Sequence, residues 1–414
     1  MKLAFLSNKD PSLPYIDSDG GAVTVRYYAA ELSRRGHLVD IFTPEITKKY
    51  AHDSYLQRKA HAQKNPLDDL VGEAKVHRKR IRSANRSLLQ ERDAKNLAGI
   101  VDSYLFADAL PKRGLEEYDV VSIFHPLAGF GVMNRQLVDP NKTVLFPMLL
   151  SDFYMKYEHV SQMYRDLELS LLQQVGTITS PSQDEANTAI KRGISPEKIR
   201  IVHRGIDKKI FFPEEKPKGF NPYERISITC TNAIRPQKGQ HHLILTAKLL
   251  KQKGMNVEVN FAGEHEHPYK PEHNDYYQNL LALAERNGVA KNVRFLGSLS
   301  PQEVSALLRS SDIAVFPSEA ESFGKSPLEA IASGTPTIVG SDVPAYTEFV
   351  NEGENALSVE RSPRKIAEAV TLLATDEDLY LRLSREGTKL SREFSWENVS
   401  LDLENLYKDI MENS

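Results

Sequence analysis

Residues 312–330 read Asp312-Ile313-Ala314-Val315-Phe316-Pro317-Ser318-Glu319-Ala320-Glu321-Ser322-Phe323-Gly324-Lys325-Ser326-Pro327-Leu328-Glu329-Ala330. The run ending at Phe316 is short and apolar, which predicts a buried strand. A glycine-containing loop follows, then a helix that Gly334-Thr335-Pro336 stops. Ser326, Pro327 and Glu329 fit the N-cap, first and third positions of that helix, so a Ser-x-x-Glu capping box accounts for Ser326 and Glu329 without any function. It does not account for Glu321, or for a loop of this kind at a strand's carboxyl end. Free backbone N–H groups at a helix start favour a phosphate. A carboxylate before the helix and another inside it can hold sugar and ribose hydroxyls, because each accepts two hydrogen bonds.

The same strand-then-helix unit recurs on both sides. In the first half, strands are expected at Lys2–Ser7, Leu38–Thr43, Asp119–Phe124, Thr143–Phe146, Val175–Thr179 and Ile199–His203, with a helix over Ala22–Arg35. The stretch Phe212–Pro222, rich in proline, glycine and charge, reads as a linker. Strands are expected again at Ile226–Thr231, Val257–Ala262, Val293–Leu296, Ile313–Phe316 and Pro336–Val339. Strands alternating with helices imply right-handed crossovers. The fold class is therefore α/β, with two doubly wound parallel-sheet (Rossmann-like) domains. Ligands are expected beyond the strands' carboxyl ends and in the cleft between the halves.

Composition agrees with this reading. A chain of 414 residues, 40% hydrophobic and 26% charged, suits two globular domains and excludes a disordered or fibrous chain. A formal net charge of -3 gives no reason to expect a nucleic-acid partner. The single cysteine, Cys230, excludes an internal disulfide and a cysteine metal cluster, and fits a reducing, cytoplasmic setting. No run approaches the ~18 apolar residues of a membrane span, and Lys2–Ser7 reads as a strand rather than a signal-peptide core. Between Lys75 and Lys95 there are eight basic residues against two acidic ones. That stretch reads either as a solvated, mostly helical face or as a surface for an anionic acceptor or weak peripheral membrane contact.

Glu321 and Glu329 form an E-x7-E pattern inside a stretch that resembles the PSxxExFGxxxLEAxAxGxP signature of retaining GT-B glycosyltransferases, in particular glycosyltransferase family four. Asp19-Gly20-Gly21-Ala22, Leu32 and Gly36-His37 resemble that family's GG loop and the end of the helix after it. Ser180-Pro181-Ser182, Ile199–Asp207, Phe212-Pro213, Gln237-Lys238-Gly239, Phe394-Ser395-Trp396 and Leu406-Tyr407 are similar to further family motifs, in the family's order.

The resemblance implies a role for each matched position. Glu321 would hold the donor sugar, and the amides around Phe323, Gly324, Lys325 and Ser326 would lie near the sugar and diphosphate. Glu329 would bind the ribose. Lys238 would neutralise the departing diphosphate, acting where charge grows in the transition state. Gly20 and Gly21 would let backbone approach a phosphate or the acceptor. His125 would contact the reacting sugar, although counting from Asp119 puts the family's histidine at Phe124. The family's arginine before the lysine is Ala233 here, and Arg235 is its expected substitute, with a planar fork suited to phosphate. The family's Asn of its NGvD motif is Arg204, and its Gly-Gly after the second Glu's helix is Asp342-Val343-Pro344.

These readings together predict residues 1–208 as an acceptor-side domain, 209–393 as a nucleotide-sugar-binding domain, and a last helix over 394–414 that crosses back onto the first. The predicted activity is a metal-independent, retaining hexosyl transfer. It runs from a UDP- or GDP-type nucleoside diphosphate sugar to a saccharide or other hydroxyl acceptor, with no cofactor. A nucleotide-sugar epimerase and a catalytically silent sugar-nucleotide binder are the alternatives. Asp17-Ser18-Asp19 and His265-Glu266-His267 have a metal-binding look, but each reads better as a polar loop.

Overall fold

Leu3, Phe5, Ile41, Ile123 and Leu145 have no solvent exposure, as expected for strands covered on both faces. They belong to a computed structural model that describes residues 1–8, 20–46, 73–81, 92–111, 114–157, 159–214, 225–265 and 271–414. The chain divides into one unit of Met1–Arg204 with Trp396–Ser414, and a second of Gly205–Ser395.

The first unit runs β1 (Lys2–Ser7), α1 (Gly20–Arg34), β2 (Leu38–Ile46), β3 (Lys75–Ile81), α2 (Arg92–Ala109), β4 (Val120–Phe124), α3 (Pro126–Asn134), β5 (Thr143–Phe146), α4 (Gln162–Gln174), β6 (Thr177–Ser180), α5 (Gln183–Lys191) and β7 (Ile199–Ile201). The seven strands lie parallel in the order β3-β2-β1-β4-β5-β6-β7. The order reverses between β1 and β4, which pair from Leu3↔Val120 to Ser7↔Phe124. A crevice for a ligand opens beyond the carboxyl ends at such a reversal.

The second unit runs β8 (Ile226–Cys230), α6 (Gln240–Gln252), β9 (Val257–Ala262), α7 (Pro271–Arg286), β10 (Val293–Gly297), α8 (Pro301–Ser310), β11 (Ile313–Phe316), α9 (Lys325–Ala332), β12 (Thr337–Gly340), β13 (Leu357–Val359), α10 (Pro363–Thr375) and α11 (Glu377–Ser391). Its parallel order is β10-β9-β8-β11-β12-β13, reversing between β8 and β11. Both sheets are thus doubly wound α/β sheets, the expected fold class.

The first part of the basic stretch is a strand rather than the helical face expected of it, while Arg92, Asp93 and Lys95 lie in α2. Lys75–Ile81 forms β3, paired in parallel with β2 from Asp40↔Lys75 to Ile46↔Ile81. The dense charge hides a period of two. Val76 packs against the core on one side, while His77 lies 2.6 Å from Asp40 and stacks on Phe42. Cations along an outermost strand keep it in water and discourage pairing with another chain. Arg82, Arg86 and Glu91 lie outside the described residues, and so does the 215–222 part of the expected linker. The first helix begins at Gly20, two residues before its expected start, and β13 is a short strand that went unpredicted.

The last helix, α12 (Trp396–Asn413), belongs to the first unit. Trp396 stacks flat on Tyr27 at 4.8 Å and meets Tyr28 edge-on at 5.4 Å. Leu403 and Tyr407 are fully buried, and the Tyr407 hydroxyl lies 2.6 Å from Ser122 Oγ on β4. Glu404 gathers Lys408 at 2.7 Å, His37 at 3.3 Å and Arg35 at 3.5 Å. Burial lowers the pKa of His37. Trp396→Ala should cost about 3–5 kcal/mol of stability, as other buried aromatic truncations do. Urea denaturation followed by tyrosine fluorescence checks this, and a loss under about 1 kcal/mol would contradict the docking described.

Candidate active site

In the second unit, two loops meet where the strand order reverses. One leaves β8 and makes a single turn of 3-10 helix over Pro236–Lys238 before α6. The other leaves β11 and runs over residues 317–324 into α9. The Glu319 N–H donates to the Gln237 carbonyl at 2.7 Å. Gly239 is left-handed (φ +65°), and a Cβ there would lie 2.0 Å from the Pro317 carbonyl oxygen. Only glycine permits this approach.

The contact sets the position of Lys238, whose Nζ lies 2.7 Å from Glu321 Oε1. Ser318 Oγ donates to the same oxygen at 2.9 Å, and Asn232 Nδ2 donates to Ser318 Oγ at 3.3 Å. The side chains of Lys238 and Glu321 are 19% and 12% exposed, so the pair is largely desolvated yet open on one side. Arg235 shares the β8 loop and reaches Glu264 at 3.6 Å.

The helix after Glu321 starts earlier than expected, and the capping box does not form. Its N-cap is Gly324, left-handed at φ 100°, with no side-chain cap. A Cβ on Gly324 would come within 2.5 Å of the Tyr346 ring, so the tight entry of the chain needs glycine. Ser326 falls inside the first turn, and Glu329, 8% exposed, pairs back one turn with Lys325 at 3.1 Å. The Leu328 N–H donates to the Gly324 carbonyl at 3.3 Å, and Lys325 and Ser326, earlier in the turn, carry N–H groups without an acceptor inside the helix. Phe323 turns inward, 2% exposed, and packs on Phe349 and Phe394 at 5.4 and 5.9 Å. It anchors the loop and leaves only its backbone to the site.

Sequence reasoning missed Asn232 and Ser318, which hold Glu321, and the group beside them. His241, His242 and Glu319 place potential ligand atoms within 4.8 Å of one another. Arg361 lies 3.4 Å from Glu319, and His241 Nδ1 lies 3.1 Å from the Tyr276 hydroxyl. Burial, then the neighbouring His241, pushes the His242 imidazole down to about 4. Of the other expected metal-like motifs, Asp17–Asp19 and Glu266-His267 lie outside the described residues. His265 packs on Tyr277 at 4.4 Å.

In the first unit, Gly20 and Gly21 open α1. Phe124 is 1% exposed and stacks on Phe146, so the first residue to leave the sheet after β4 is His125. His125 caps α3 with φ 85°, its Nδ1 accepting from the Leu127 N–H at 3.1 Å and its own N–H donating to the Phe146 carbonyl. A positive φ on a histidine costs of order 1–3 kcal/mol and persists only where its surroundings impose it. The neighbouring loop after β5 is held from below. Glu185 accepts from the Leu150 N–H at 2.8 Å, Glu168 accepts from Ser151 Oγ at 2.6 Å, and Arg192 binds Glu168 at 2.5 Å and Asp152 at 3.1 Å. Burial raises the Glu185 carboxyl to about 7. Met148 in that loop is left-handed (φ 70°), and its sulfur accepts from Arg204 at 3.5 Å. Nothing in the sequence marks the last two contacts.

The expected residues thus form two sets. Lys238, Arg235, Glu321, Phe323, Gly324, Lys325, Ser326 and Glu329 gather at the carboxyl edge of the second sheet, while Gly20, Gly21 and His125 lie at that of the first.

A family model described as Glycosyl transferases group 1 matches residues 211–390, and one described as Glycosyltransferase Family 4 matches residues 18–209. A D-inositol 3-phosphate glycosyltransferase from Corynebacterium efficiens is 26% identical over 95% of this chain and 91% of its own. The chain spans about half to two thirds of the length of several other enzymes of that name. Among solved structures, sucrose-phosphate synthase (tll1590) from Thermosynechococcus elongatus is similar with a TM-score of 0.78 at 17% identity, covering 100% of both chains. Anabaena Alr3699/HepE in complex with UDP-glucose is similar with a TM-score of 0.68 at 17% identity, covering 99% of this chain and 100% of its own.

Gly239→Ala should force the two loops apart and cost about 1–3 kcal/mol from the backbone conformation alone. Thermal denaturation should show that loss, and nucleotide binding should fall with it. A variant as stable as the parent would disprove the close approach.

Proposed function

Because the chain belongs to glycosyltransferase family four and has the GT-B fold, we propose that it moves a sugar from a UDP- or GDP-type nucleoside diphosphate sugar to an acceptor hydroxyl. Transfer retains configuration at the anomeric carbon and uses no metal. The observation that carries this reading is the Lys238–Glu321 pair at the sheet reversal, with Glu329 one helical stretch away.

A pair of this kind is half-prepared for a donor. Before binding, each charge satisfies the other. A diphosphate offers Lys238 a better-matched anion, and Glu321, still held by Ser318, is then free to accept hydroxyls of the sugar. Glu329 accepts from the ribose, and the Lys325 and Ser326 amides face phosphate oxygens. Arg235 adds a second cation. In the transfer, the acceptor oxygen bonds to the anomeric carbon while the bond from that carbon to the phosphate oxygen breaks. The acceptor's proton passes to the departing diphosphate, so no side chain acts as nucleophile. Lys238 is worth most as charge collects on the leaving group. His125 is the first-unit residue assigned to the reacting sugar, and Gly20 and Gly21 to close approach of backbone.

The UDP-glucose bound to Alr3699/HepE supports a donor of this class. The inositol phosphate in the name of the Corynebacterium efficiens relative supports a hydroxylated, anionic acceptor. Thermal shifts against UDP, GDP, ADP and their sugars, with and without EDTA, test the donor. Saturation at 100 times the dissociation constant adds about 2.7 kcal/mol. One nucleotide should shift the protein regardless of EDTA, and loss of the shift on chelation would refute metal independence. Glu329→Ala and Lys238→Ala should each lower donor turnover by at least ~2 kcal/mol, roughly thirtyfold, for a lost charge-assisted contact. Parental turnover in either variant, measured with an acceptor mixture present, would overturn the assignment. Consumption of donor without acceptor would point to an epimerase instead.

A further inference from the structure

The second unit has a cavity of about 410 Å³ that none of the chemistry above uses. It lies at the amino edge of the sheet, where Ser311 precedes β11 and Thr335 precedes β12. Lys238 and Glu321 lie beyond the carboxyl edge. At about 3.3 Å per residue, the six steps from Ser311 to Pro317 along β11 separate the two places by roughly 20 Å.

Four cations line this cavity, Arg309, Arg385, Lys389 and Arg392, against one carboxylate, Glu214. Helix ends do collect basic residues for electrostatic reasons. That accounts for a cation in the last turn of α8 or of α11. It does not account for two helices aiming cations into one concavity, where they repel each other. Arg309 is fixed there, its guanidinium 4.5 Å over the Phe212 ring and donating to Ser305 Oγ at 2.5 Å. The Lys389 ammonium makes no short hydrogen bond or ion pair among the described residues, and the nearby Glu386 carboxylate meets Arg385 at 2.9 Å on the exposed side and feels Lys389 from farther off.

The wall between the cations supplies the rest of the specificity. Ser384 Oγ donates to the Gly334 carbonyl at 2.6 Å, and Thr388 Oγ1 donates to the Ser384 carbonyl at 2.8 Å. Both protons are committed, so what these hydroxyls offer a ligand is lone pairs. They suit a molecule that brings its own O–H donors. The volume lies in the range of small-ligand sites.

We propose that this cavity is a second ligand site, for a phosphomonoester carried on a small hydroxylated body, separate from the donor edge. The phosphate takes the cations, and hydroxyls of the body donate to Ser384 and Thr388.

Isothermal titration of the whole chain with glucose 6-phosphate, AMP, inorganic phosphate and glucose tests it. The proteins compared are the parent, Lys238→Ala, and Arg385→Gln with Lys389→Gln. Both glutamines replace exposed side chains, and an unchanged melting temperature shows that the fold is kept. At least one phosphate compound should bind one-to-one, weaken about tenfold or more in the double variant, and bind Lys238→Ala as tightly as the parent. Glucose should not bind. A sugar or nucleoside ester that outbinds inorganic phosphate identifies the hydroxylated body, and equally tight binding of inorganic phosphate would overturn the part assigned to that body. No binding at millimolar concentration, binding indifferent to the double variant, or binding lost in Lys238→Ala would each overturn the proposal. The first two would leave the donor site intact, because that site is read from nucleotide titrations.

Discussion

The Pro317 carbonyl oxygen sits where any side chain at position 239 would have to begin. That single backbone approach sets the spacing of the two loops at the reversal of the second sheet. It brings Lys238, which ends a short turn after β8, to a carboxylate that follows β11, more than eighty residues later in the chain. Everything the site can do follows from this spacing. A lysine held by the backbone of one loop and a glutamate held by Ser318 and Asn232 of two loops are both positioned before any ligand arrives. Preorganised charge is effective in catalysis because little has to be reoriented during reaction.

The charges of this edge stand in pairs. Lys238 with Glu321 and Lys325 with Glu329 are two ion pairs on adjoining loop and helix. Leaving either carboxylate partly buried and alone would be costly, and the pairing avoids that. The first unit uses buried charge differently. Glu168 and Glu185 accept from backbone and side-chain donors of the loop after β5, and Arg192 closes the network. There the carboxylates fix a loop that contains the left-handed Met148, next to the strand end that carries the left-handed His125.

Much of this was legible in the sequence. The short apolar run Ile313–Phe316 is buried throughout, and Val257–Ala262 is buried too although Glu258 and Asn260 interrupt its apolar residues; length and the β-branched content identify both. The lysine-glycine step and the two glutamates were equally visible, because their chemistry is carried by residue type. What was hidden depends on the backbone. Ser326 and Glu329 satisfy the letter pattern of a capping box, but left-handed Gly324 starts the helix early and changes both side chains' partners. In β3, charge on four of the seven residues obscures the alternation that tertiary pairing with β2 enforces. At three residues, β13 is too short to carry a period. The conformation of His125 follows from its neighbours in space, Phe146 above all, and no local signal announces it.

The first unit is discontinuous in sequence. Its chain leaves at Arg204 and returns only at Trp396, after the whole second unit. Tyr27 and Tyr28, which Trp396 covers, therefore stay bare on the growing polypeptide until nearly two hundred further residues have been made. Domains generally fold in order as they emerge from the ribosome. Here the earlier domain must wait for the later one to be translated before its own surface is sealed. A chain cut short within the second unit would keep an aromatic patch open on the first, a mark by which cellular quality control could distinguish the fragment from the finished protein.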